Sequence, residues 1–251
     1  MTARETDNPS LPARPTELSP VPQHQTLEWH EGDMPYSAEF GDHFYCREDG
    51  RLECQHVFLG GNVVIARWQD STDFTIGELG FGTGLNFCET WRQWKREGRD
   101  GQRLHFISFE RFPMQATDIA RALSRWPEIN EERAALCALW PEQPTADVCL
   151  DFGDGVQLRV VIGPADARLG SMAEVFDAWY LDGFSPVRNP DLWSQDLMQS
   201  VFDRTRPGGT FATYAAAGFV RRNLQAAGFA VERRKGYGAK REMLSGTKPS
   251  A

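Results

Sequence analysis

The sequence lacks any apolar run long enough to cross a membrane and any pair of cysteines spaced as C-x-x-C. A membrane-spanning helix needs about 20 consecutive apolar residues, and zinc sites and redox motifs use closely spaced cysteines. These absences argue against a membrane protein, a zinc site and a disulfide scaffold. The five cysteines are odd in number and scattered, which favours small buried thiols in a reducing compartment: Cys46, Cys54, Cys88, Cys137 and Cys149.

Histidine is also scarce, and the five histidines show no metal-ligand spacing, so we expect no metal. Residues 1–7 contain no apolar signal core, which predicts a cytoplasmic protein. The length of 251 residues, with 41% hydrophobic and 25% charged residues, is typical of a soluble protein with one larger domain.

Composition and residue patterns divide the chain into four regions. Residues 1–25 hold five prolines among polar residues and are predicted to be a disordered tail. Residues 26–72 read as a β-rich N-terminal lobe, with short strands such as Phe44–Cys46, His56–Leu59 and Val63–Trp68. Residues 73–246 form the main domain, and 247–251 a second tail.

Strands alternate with helices after residue 73, which predicts an α/β, Rossmann-like domain. We expect a seven-stranded, mostly parallel sheet that closes with a C-terminal β-hairpin. The predicted strands are Thr75–Leu79, Leu104–Phe109, Leu158–Ile162, Ala178–Leu181, Thr210–Tyr214, Val231–Arg234 and Arg241–Leu244. The predicted helices cover Asn86–Arg96, Ala116–Leu139 and Gly218–Ala227.

A glycine-rich loop follows the first of these strands. Its pattern is G-x-G-x-G, whereas a dinucleotide fingerprint would place its third glycine at Leu85. An acid, Glu78, comes two residues before the first glycine. This pattern is typical of S-adenosylmethionine (SAM) sites, where the acid faces the methionine ammonium. The candidate cofactor-binding residues of this segment are Glu78, Gly80, Phe81, Gly82, Gly84 and Asn86.

Other predicted strands also end in acids. Glu110 could accept hydrogen bonds from both hydroxyls of a ribose, and Asp166, in Gly163-Pro164-Ala165-Asp166, could reach an adenine amino group. Each acid alone is more often a surface carboxylate or a helix cap. Because parallel strands end at one edge of a sheet, several such acids beside a glycine loop favour a SAM-dependent methyltransferase.

The segment Asp182-Gly183-Phe184-Ser185-Pro186 resembles the acid-Pro-aromatic loops of enzymes that methylate amino nitrogens. Methyl transfer needs a neutral nitrogen lone pair, but an alkyl amine with a pKa of about 10.4 is protonated at neutral pH. Asp182 could hold the amine, orient it and accept its proton. Phe184 could stack on the substrate base or the adenine, or it could simply pack the following helix, as Trp193 could.

Positive charge is concentrated near the C-terminus, although the chain carries −8 overall. Between Phe219 and Met243, seven basic residues face two acidic ones, which leaves +5 there and −13 elsewhere. This distribution favours local docking of a polyanion, although a solvated helix face and edge hairpin would look similar. The candidate RNA-binding residues are Arg221, Arg222, Arg233, Arg234, Lys235, Lys240 and Arg241.

Together these segments resemble a known family, the tRNA 5-methylaminomethyl-2-thiouridine methyltransferases, which form one domain of a bifunctional enzyme that modifies the wobble uridine. The similarity spans about Leu27 to Leu244. It rests on the glycine loop and on the segments Phe106–Pro113, Asp177–Pro186, Asn189–Trp193, Ala217–Arg222 and Arg234–Met243.

The resemblance implies SAM-dependent methylation of 5-aminomethyl-2-thiouridine in tRNA, with the anticodon arm on the basic hairpin. It carries cofactor contacts onto Glu78, Gly80, Gly82, Gly84, Asn86, Glu110, Arg111 and Asp182. Two features depart from the family. No second glycine-rich unit follows, so we expect a methyltransferase alone, supplied with its substrate by a separate FAD-dependent oxidase or another source. Pro164 removes a backbone donor beside Asp166.

Two other functions stay open at this point. The first is a SAM-dependent N-methyltransferase of a small amine or a protein. The second is a non-catalytic module that binds tRNA or SAM.

Overall fold

The computed structural model describes residues 26–250, so the predicted tail at residues 1–25 lies outside the described residues. The described chain begins with a small antiparallel sheet of three strands in the order β1-β2-β3. Its strands are β1 (Leu27–His30), β2 (Met34–Ser37) and β3 (Asp42–His43).

The rest of the N-terminal lobe is helical, and the strands predicted at Phe44–Cys46, His56–Leu59 and Val63–Trp68 are wrong. The first is irregular, and the other two lie in helical turns. Helix α1 (Gly50–Cys54) runs directly into a π-helical turn (Gln55–Leu59), and α2 (Val64–Trp68) begins after a non-helical turn at residues 60–63.

Short apolar runs that are buried on several sides do not distinguish strand from helix. Asp49 was the missed signal, because its carboxylate caps α1 by accepting hydrogen bonds from the backbone N–H groups of Arg51 and Leu52, both at 3.0 Å. The absence of a side chain at Gly61 lets this segment approach the main sheet, because a side-chain carbon there would lie 2.6 Å from the Ala212 Cβ.

The main sheet has eight strands in the order β10-β11-β9-β8-β4-β5-β7-β6. Pairing is parallel from β9 through β8, β4 and β5 to β7, and antiparallel at both ends. The α/β, Rossmann-like fold class is confirmed, with one strand more than predicted. The strands are β4 (Asp73–Leu79), β5 (Arg103–Glu110), β6 (Val148–Asp151), β7 (Val156–Ile162), β8 (Phe176–Leu181), β9 (Thr205–Thr213), β10 (Ala230–Lys235) and β11 (Glu242–Thr247).

The additional strand is β6, which forms an antiparallel hairpin with β7 through a turn at residues 152–155. The final strand, β11, runs to Thr247, one residue beyond the predicted end of the main domain. Between the strands lie α3 (Leu85–Glu97), α4 (Ala116–Leu123), a 3-10 turn (Pro127–Ile129), α5 (Asn130–Leu139), α6 (Ala165–Leu169), α7 (Gln195–Asp203) and α8 (Gly218–Ala227).

Two apolar clusters cover the two faces of the main sheet. One joins α3, α4 and α5 to the N-terminal helical segment, for example through the edge-to-face contact of Trp68 and Trp94 at 5.0 Å. The other contains α6, α7 and α8. Within residues 26–250, no helix is both long and apolar enough to span a bilayer. The parallel strands β4, β5, β7, β8 and β9 all end at one edge of the sheet, and the N-terminal lobe meets them there.

Candidate active site

A cleft of about 380 Å³ opens at that edge, between the ends of the parallel strands and the N-terminal lobe. Its volume is in the range of small-molecule sites. The lining includes the glycine loop after β4, the residues after β5, β7 and β8, and side chains from β3, α1 and the loop between β10 and β11. The topology therefore gathers in one cavity three of the acids that were selected from the sequence, Glu110, Asp166 and Asp182.

The glycine loop requires glycine at three positions. Gly80, Gly82 and Gly84 have φ angles of +83°, +53° and +76°, a region that costs other residues about 1–2 kcal/mol. A side-chain carbon on Gly82 would also lie 3.2 Å from the Phe44 ring. The loop thus exposes backbone where a ligand can approach closely.

One amide joins two carboxylates beneath this loop. Asn86, in the first turn of α3, donates from Nδ2 to Glu78 Oε1 at 2.9 Å and to Asp182 Oδ2 at 2.7 Å. Glu78 also accepts a 2.6 Å hydrogen bond from the hydroxyl of Ser108. Because Glu78 ends β4 and Asp182 follows β8, the shared amide ties the ends of two neighbouring strands together.

Glu78 lies behind the cleft wall, although its position before the glycine loop predicted direct contact with the ligand. It is fully buried and forms no part of the cleft lining. Burial raises the pKa of its carboxyl well above the ordinary value, while hydrogen bonds from Ser108 and Asn86 oppose the shift. Its geometry fits the positioning of Asn86 better than direct contact with a ligand.

Asp182 faces the cleft at the end of β8. Its Oδ1 accepts a hydrogen bond from the Gly183 backbone N–H at 2.8 Å. Burial raises the pKa of Asp182 to about 7, although the hydrogen bonds from Gly183 and Asn86 lower it. A carboxyl with that pKa can both accept and release a proton near neutral pH.

Glu110 ends β5 beside the glycine loop. Its two oxygens accept hydrogen bonds from the backbone N–H groups of Gly82, at 2.8 Å, and Phe112, at 2.7 Å. Burial raises the pKa of Glu110, and these backbone donors oppose the shift. The next residue, Arg111, is exposed, lines the cleft and lies 5.1 Å from the centre of the Phe112 ring.

Two further predicted cofactor residues stand at the cleft margin. Asp166 is exposed in the first turn of α6, behind Pro164, and lines the cleft. Phe81 also lines the cleft, but its ring is buried and stacks on Trp140, with centroids 5.2 Å apart. The Phe81 side chain therefore supports the loop from inside.

Phe184, two residues after Asp182, belongs to an aromatic cluster that lines the cleft. It stacks on Phe40 with ring centroids 4.5 Å apart, and Phe44 meets it edge-to-face at 5.0 Å. The backbone carbonyl of Phe184 accepts a hydrogen bond from the Trp193 indole at 3.2 Å. Trp193 itself is fully buried, so it packs the core while Phe184 stays at the cleft.

Sequence reasoning missed several residues that line this cleft. Phe40 and Phe44 come from the loops around β3, Glu53 from α1, and Tyr214 from the end of β9. They were missed because they are distant in sequence from the glycine loop. Asp42, on β3, also lines the cleft, and its side chain accepts a 3.2 Å hydrogen bond from the Ser185 backbone N–H, which joins β3 to the loop after β8.

The seven basic residues selected from the sequence divide into two groups. Two contact the N-terminal lobe: Arg234 donates to the Gly60 and Gly61 carbonyls, each at 3.3 Å, and Lys240 enters the cleft. The others lie on α8, on β10 and in the loop after β10, all exposed except the half-buried Arg221: Arg221, Arg222, Arg233, Lys235 and Arg241. Among these, Arg233 forms an exposed ion pair with Glu242 at 3.5 Å.

The cleft fits SAM on its own chemistry. The Glu110 carboxylate beside a glycine loop suits a ribose, and close backbone approach is possible only because Cβ atoms are absent. Among the described residues, no group of three or more His, Cys, Asp or Glu side chains could hold a metal ion.

Comparison with known proteins agrees with this fit. A family model described as an S-adenosyl-L-methionine-dependent methyltransferase matches residues 127–249. The crystal structure of MNMC2 from Aquifex aeolicus superposes with a TM-score of 0.73 at 21% identity, covering 92% of this chain and 73% of that one. The chain is thus a SAM-dependent methyltransferase, with SAM as its methyl donor.

The particular family follows from more similar sequences. The tRNA 5-methylaminomethyl-2-thiouridine biosynthesis bifunctional proteins MnmC of Methylobacillus flagellatus and Pseudomonas aeruginosa are 46% and 43% identical to this chain. These matches cover 88% and 90% of the chain but 34% and 35% of the relatives. The chain is similar to these MnmC proteins over most of its own length, and it spans about a third of the length of the curated relatives it matches. The resemblance drawn from the motifs is confirmed.

Proposed function

We propose that the chain N-methylates 5-aminomethyl-2-thiouridine at the wobble position of tRNA and produces the 5-methylaminomethyl base. The observation that supports this most directly is the Asp182 carboxyl, which faces the cleft with a pKa of about 7. An acid with that pKa beside the cofactor loop suits a reaction that must remove a proton from an amine.

Asp182 is the group we assign to the amine. SAM, when bound, supplies the methyl group. The hydrogen bonds from Asn86 and Gly183 fix the carboxylate, so it can hold the substrate nitrogen by its N–H bonds and accept the proton that nitrogen loses. Orientation alone is worth roughly 7–11 kcal/mol in well-aligned reactions.

The aromatic cluster is the surface we assign to the base. Phe184 is held by the hydrogen bond to its own carbonyl and by Phe44 at its edge. A nucleobase turned out of its stack binds readily against such a ring. Phe40 occupies one face of Phe184, at stacking distance, so a substrate base would stack beside or in place of Phe40.

The cofactor contacts are proposed residue by residue. Glu110 would accept hydrogen bonds from the ribose hydroxyls, and the backbone of Gly80, Gly82 and Gly84 would border the amino-acid part. Asn86 would face its ammonium, with Glu78 and Asp182 holding Asn86 in place. Arg111 and Asp166 stand where they could border the adenine.

The tRNA contacts are proposed for the exposed basic side chains near the cleft. The α8 helix begins just after β9 ends, and β10 runs parallel to β9, so their basic residues lie at the edge of the sheet that holds the cleft. Contacts from Arg222, Lys235 and Arg241 would be mainly to phosphates. A tRNA substrate also places the reaction in the cytoplasm, with the aminomethyl group supplied by a FAD-dependent oxidase or another source.

The test is methyl transfer from labelled SAM to tRNA from a strain that accumulates the aminomethyl intermediate, followed by nucleoside analysis. We expect label in 5-methylaminomethyl-2-thiouridine, and loss of that label with Asp182→Ala while SAM affinity stays within about threefold. An absence of label in tRNA, with intact SAM binding, would instead favour a small amine or protein substrate. Intact tRNA and SAM binding without any turnover would indicate a binding module.

A further inference from the structure

One ion pair in the cleft belongs to neither the cofactor loop nor the aromatic cluster. Lys240 reaches in from the loop between β10 and β11, and its Nζ lies 2.6 Å from Glu53 Oε1 on α1. The Glu53 side chain is buried, whereas Lys240 is partly exposed. Both side chains line the cleft that contains Asp182.

The Lys240 ammonium is held in place from several directions. It lies 3.7 Å from the centre of the Tyr214 ring, a cation–π distance, and the Tyr214 hydroxyl donates to the Gly183 carbonyl at 2.5 Å. The Lys240 backbone N–H donates to the Tyr237 carbonyl at 3.0 Å.

We propose that Lys240 and Glu53 are a pair of positioning residues that set the charge state of Asp182 and of the amine beside it, and that this pair couples the basic hairpin to the reaction. The inference rests on the proposed function and deepens it. A cation near the substrate amine favours the neutral amine, which is the form that attacks a methyl group. A cation near Asp182 favours the carboxylate, which is the form that accepts a proton.

The two charges of the pair act in opposite directions. Glu53 raises the pKa of Asp182 and Lys240 lowers it. Because Lys240 neutralises Glu53 across 2.6 Å, the pair leaves a small net field in the cleft. The charged or titratable groups that interact with Asp182 from the surrounding elements are Glu53, Cys54, Glu78, Tyr214 and Lys240. Asp42 and Glu110 line the same cleft.

Breaking the pair from either side therefore has opposite consequences. Glu53→Gln leaves Lys240 charged without its partner, which lowers the pKa of both Asp182 and the substrate amine. Lys240→Met leaves the Glu53 charge in the cleft, which raises both. A purely structural role would make the two variants fail in the same way.

The experiment measures the Asp182 carboxyl directly and then the reaction. The full chain labelled with ¹³C-aspartate is titrated by NMR, with Asp182→Asn assigning the signal, and kcat/KM is recorded against pH with aminomethyl tRNA. We expect the Asp182 titration to move down by about 0.5–1 pH unit in Glu53→Gln and up by a similar amount in Lys240→Met. The pH below which kcat/KM falls should move in the same direction as this titration. At pH values below that point, kcat/KM should change roughly three- to tenfold.

Two further variants control for charge and folding. Lys240→Arg keeps the cation and should restore a titration close to the wild type. Arg103→Met removes a cation of similar size, paired with Asp73 at 2.6 Å, at the opposite edge of the sheet and should move neither readout. Shifts in the same direction for both cleft variants, or none in folded protein, would overturn the proposal. If the two variants shift the Asp182 titration in opposite directions but the wild type does not methylate tRNA, the role of the Lys240–Glu53 pair would stand and the proposed function would be rejected.

Discussion

Removing the Asp182 carboxyl should reduce activity and change how stability depends on pH. The carboxyl has a pKa of about 7 in the folded protein, against an ordinary value of 3.8. The folded state therefore binds this proton more tightly than the unfolded state, and wild-type stability falls as pH rises from about 4 through 7. In Asp182→Ala that contribution is absent, so the variant should lose less stability over the same range.

The magnitude follows from the size of the pKa shift. A shift of this size in a fully dry site would remove roughly 2–3 kcal/mol of wild-type stability between about pH 5 and pH 8. Asp182 faces an open cleft and is only half-buried, so screening by solvent reduces this to about 1–2 kcal/mol. Asn86 still donates to Glu78 in the variant, and the cost of removing the Asp182 acceptor from Asn86 and Gly183 is the same at every pH, so it cancels from this comparison.

The assay is urea denaturation of both proteins at about pH 5 and pH 8, with Asp70→Asn, an exposed carboxyl in a turn, as the control. The free energy of unfolding of Asp182→Ala, relative to wild type, should rise by about 1–2 kcal/mol between the two pH values, while the control tracks the wild type. An equal pH dependence in wild type and variant would refute the raised pKa, and with it the role in accepting a proton.

Three other predictions test separate parts of the site. Gly82→Ala and Gly101→Ala both place a side chain at positive φ, so each should cost about 1 kcal/mol of stability. Only the Gly82→Ala side chain meets a neighbour, the Phe44 ring. Calorimetry should therefore show at least about tenfold weaker SAM binding for Gly82→Ala and unchanged binding for Gly101→Ala. Replacing Arg233 and Lys235 by alanine should weaken tRNA binding in a filter assay and flatten its salt dependence by about one unit of slope per lost phosphate contact. Arg234→Ala should instead lower the melting temperature, because Arg234 donates to the Gly60 and Gly61 carbonyls. The reverse pattern would contradict the assignment of Arg233 and Lys235 to tRNA and of Arg234 to stability. Phe40→Ala should change KM for tRNA several-fold and leave SAM affinity unchanged, whereas loss of SAM binding would mean that Phe40 supports the cofactor loop.

The sequence was most informative where the backbone alone determines the outcome. Glycine spacing predicted a loop with positive φ angles, and alternating strands and helices predicted which residues meet at one sheet edge, as Glu110 and Asp182 do. The N-terminal lobe was misjudged because residues 56–59 and 63–68 are apolar runs too short to show a period. Their helical form depends on packing against α3 and β9, which a local pattern does not contain.

The parts of the site that escaped prediction depend on long-range contacts. Lys240 and Glu53 are 187 residues apart in sequence, and each alone resembles an ordinary surface charge. Glu78 was identified as important, but whether it faces the ligand or lies behind Asn86 depends on how α3 docks against β4. Spacing along the chain predicts which strand end a side chain occupies, but not its depth beneath the surface.

The basic strand β10 forms one border of the main sheet, so its free backbone groups could pair with the strand of another molecule. Four of its six residues are charged, and nearly all are exposed. Charged side chains on a border strand are a common protection against edge-to-edge aggregation. Neutralising β10 to weaken tRNA binding would thus also remove that protection, and the resulting protein should self-associate as its concentration rises. The residues that we assign to attracting a nucleic acid are the same ones that keep copies of the enzyme apart.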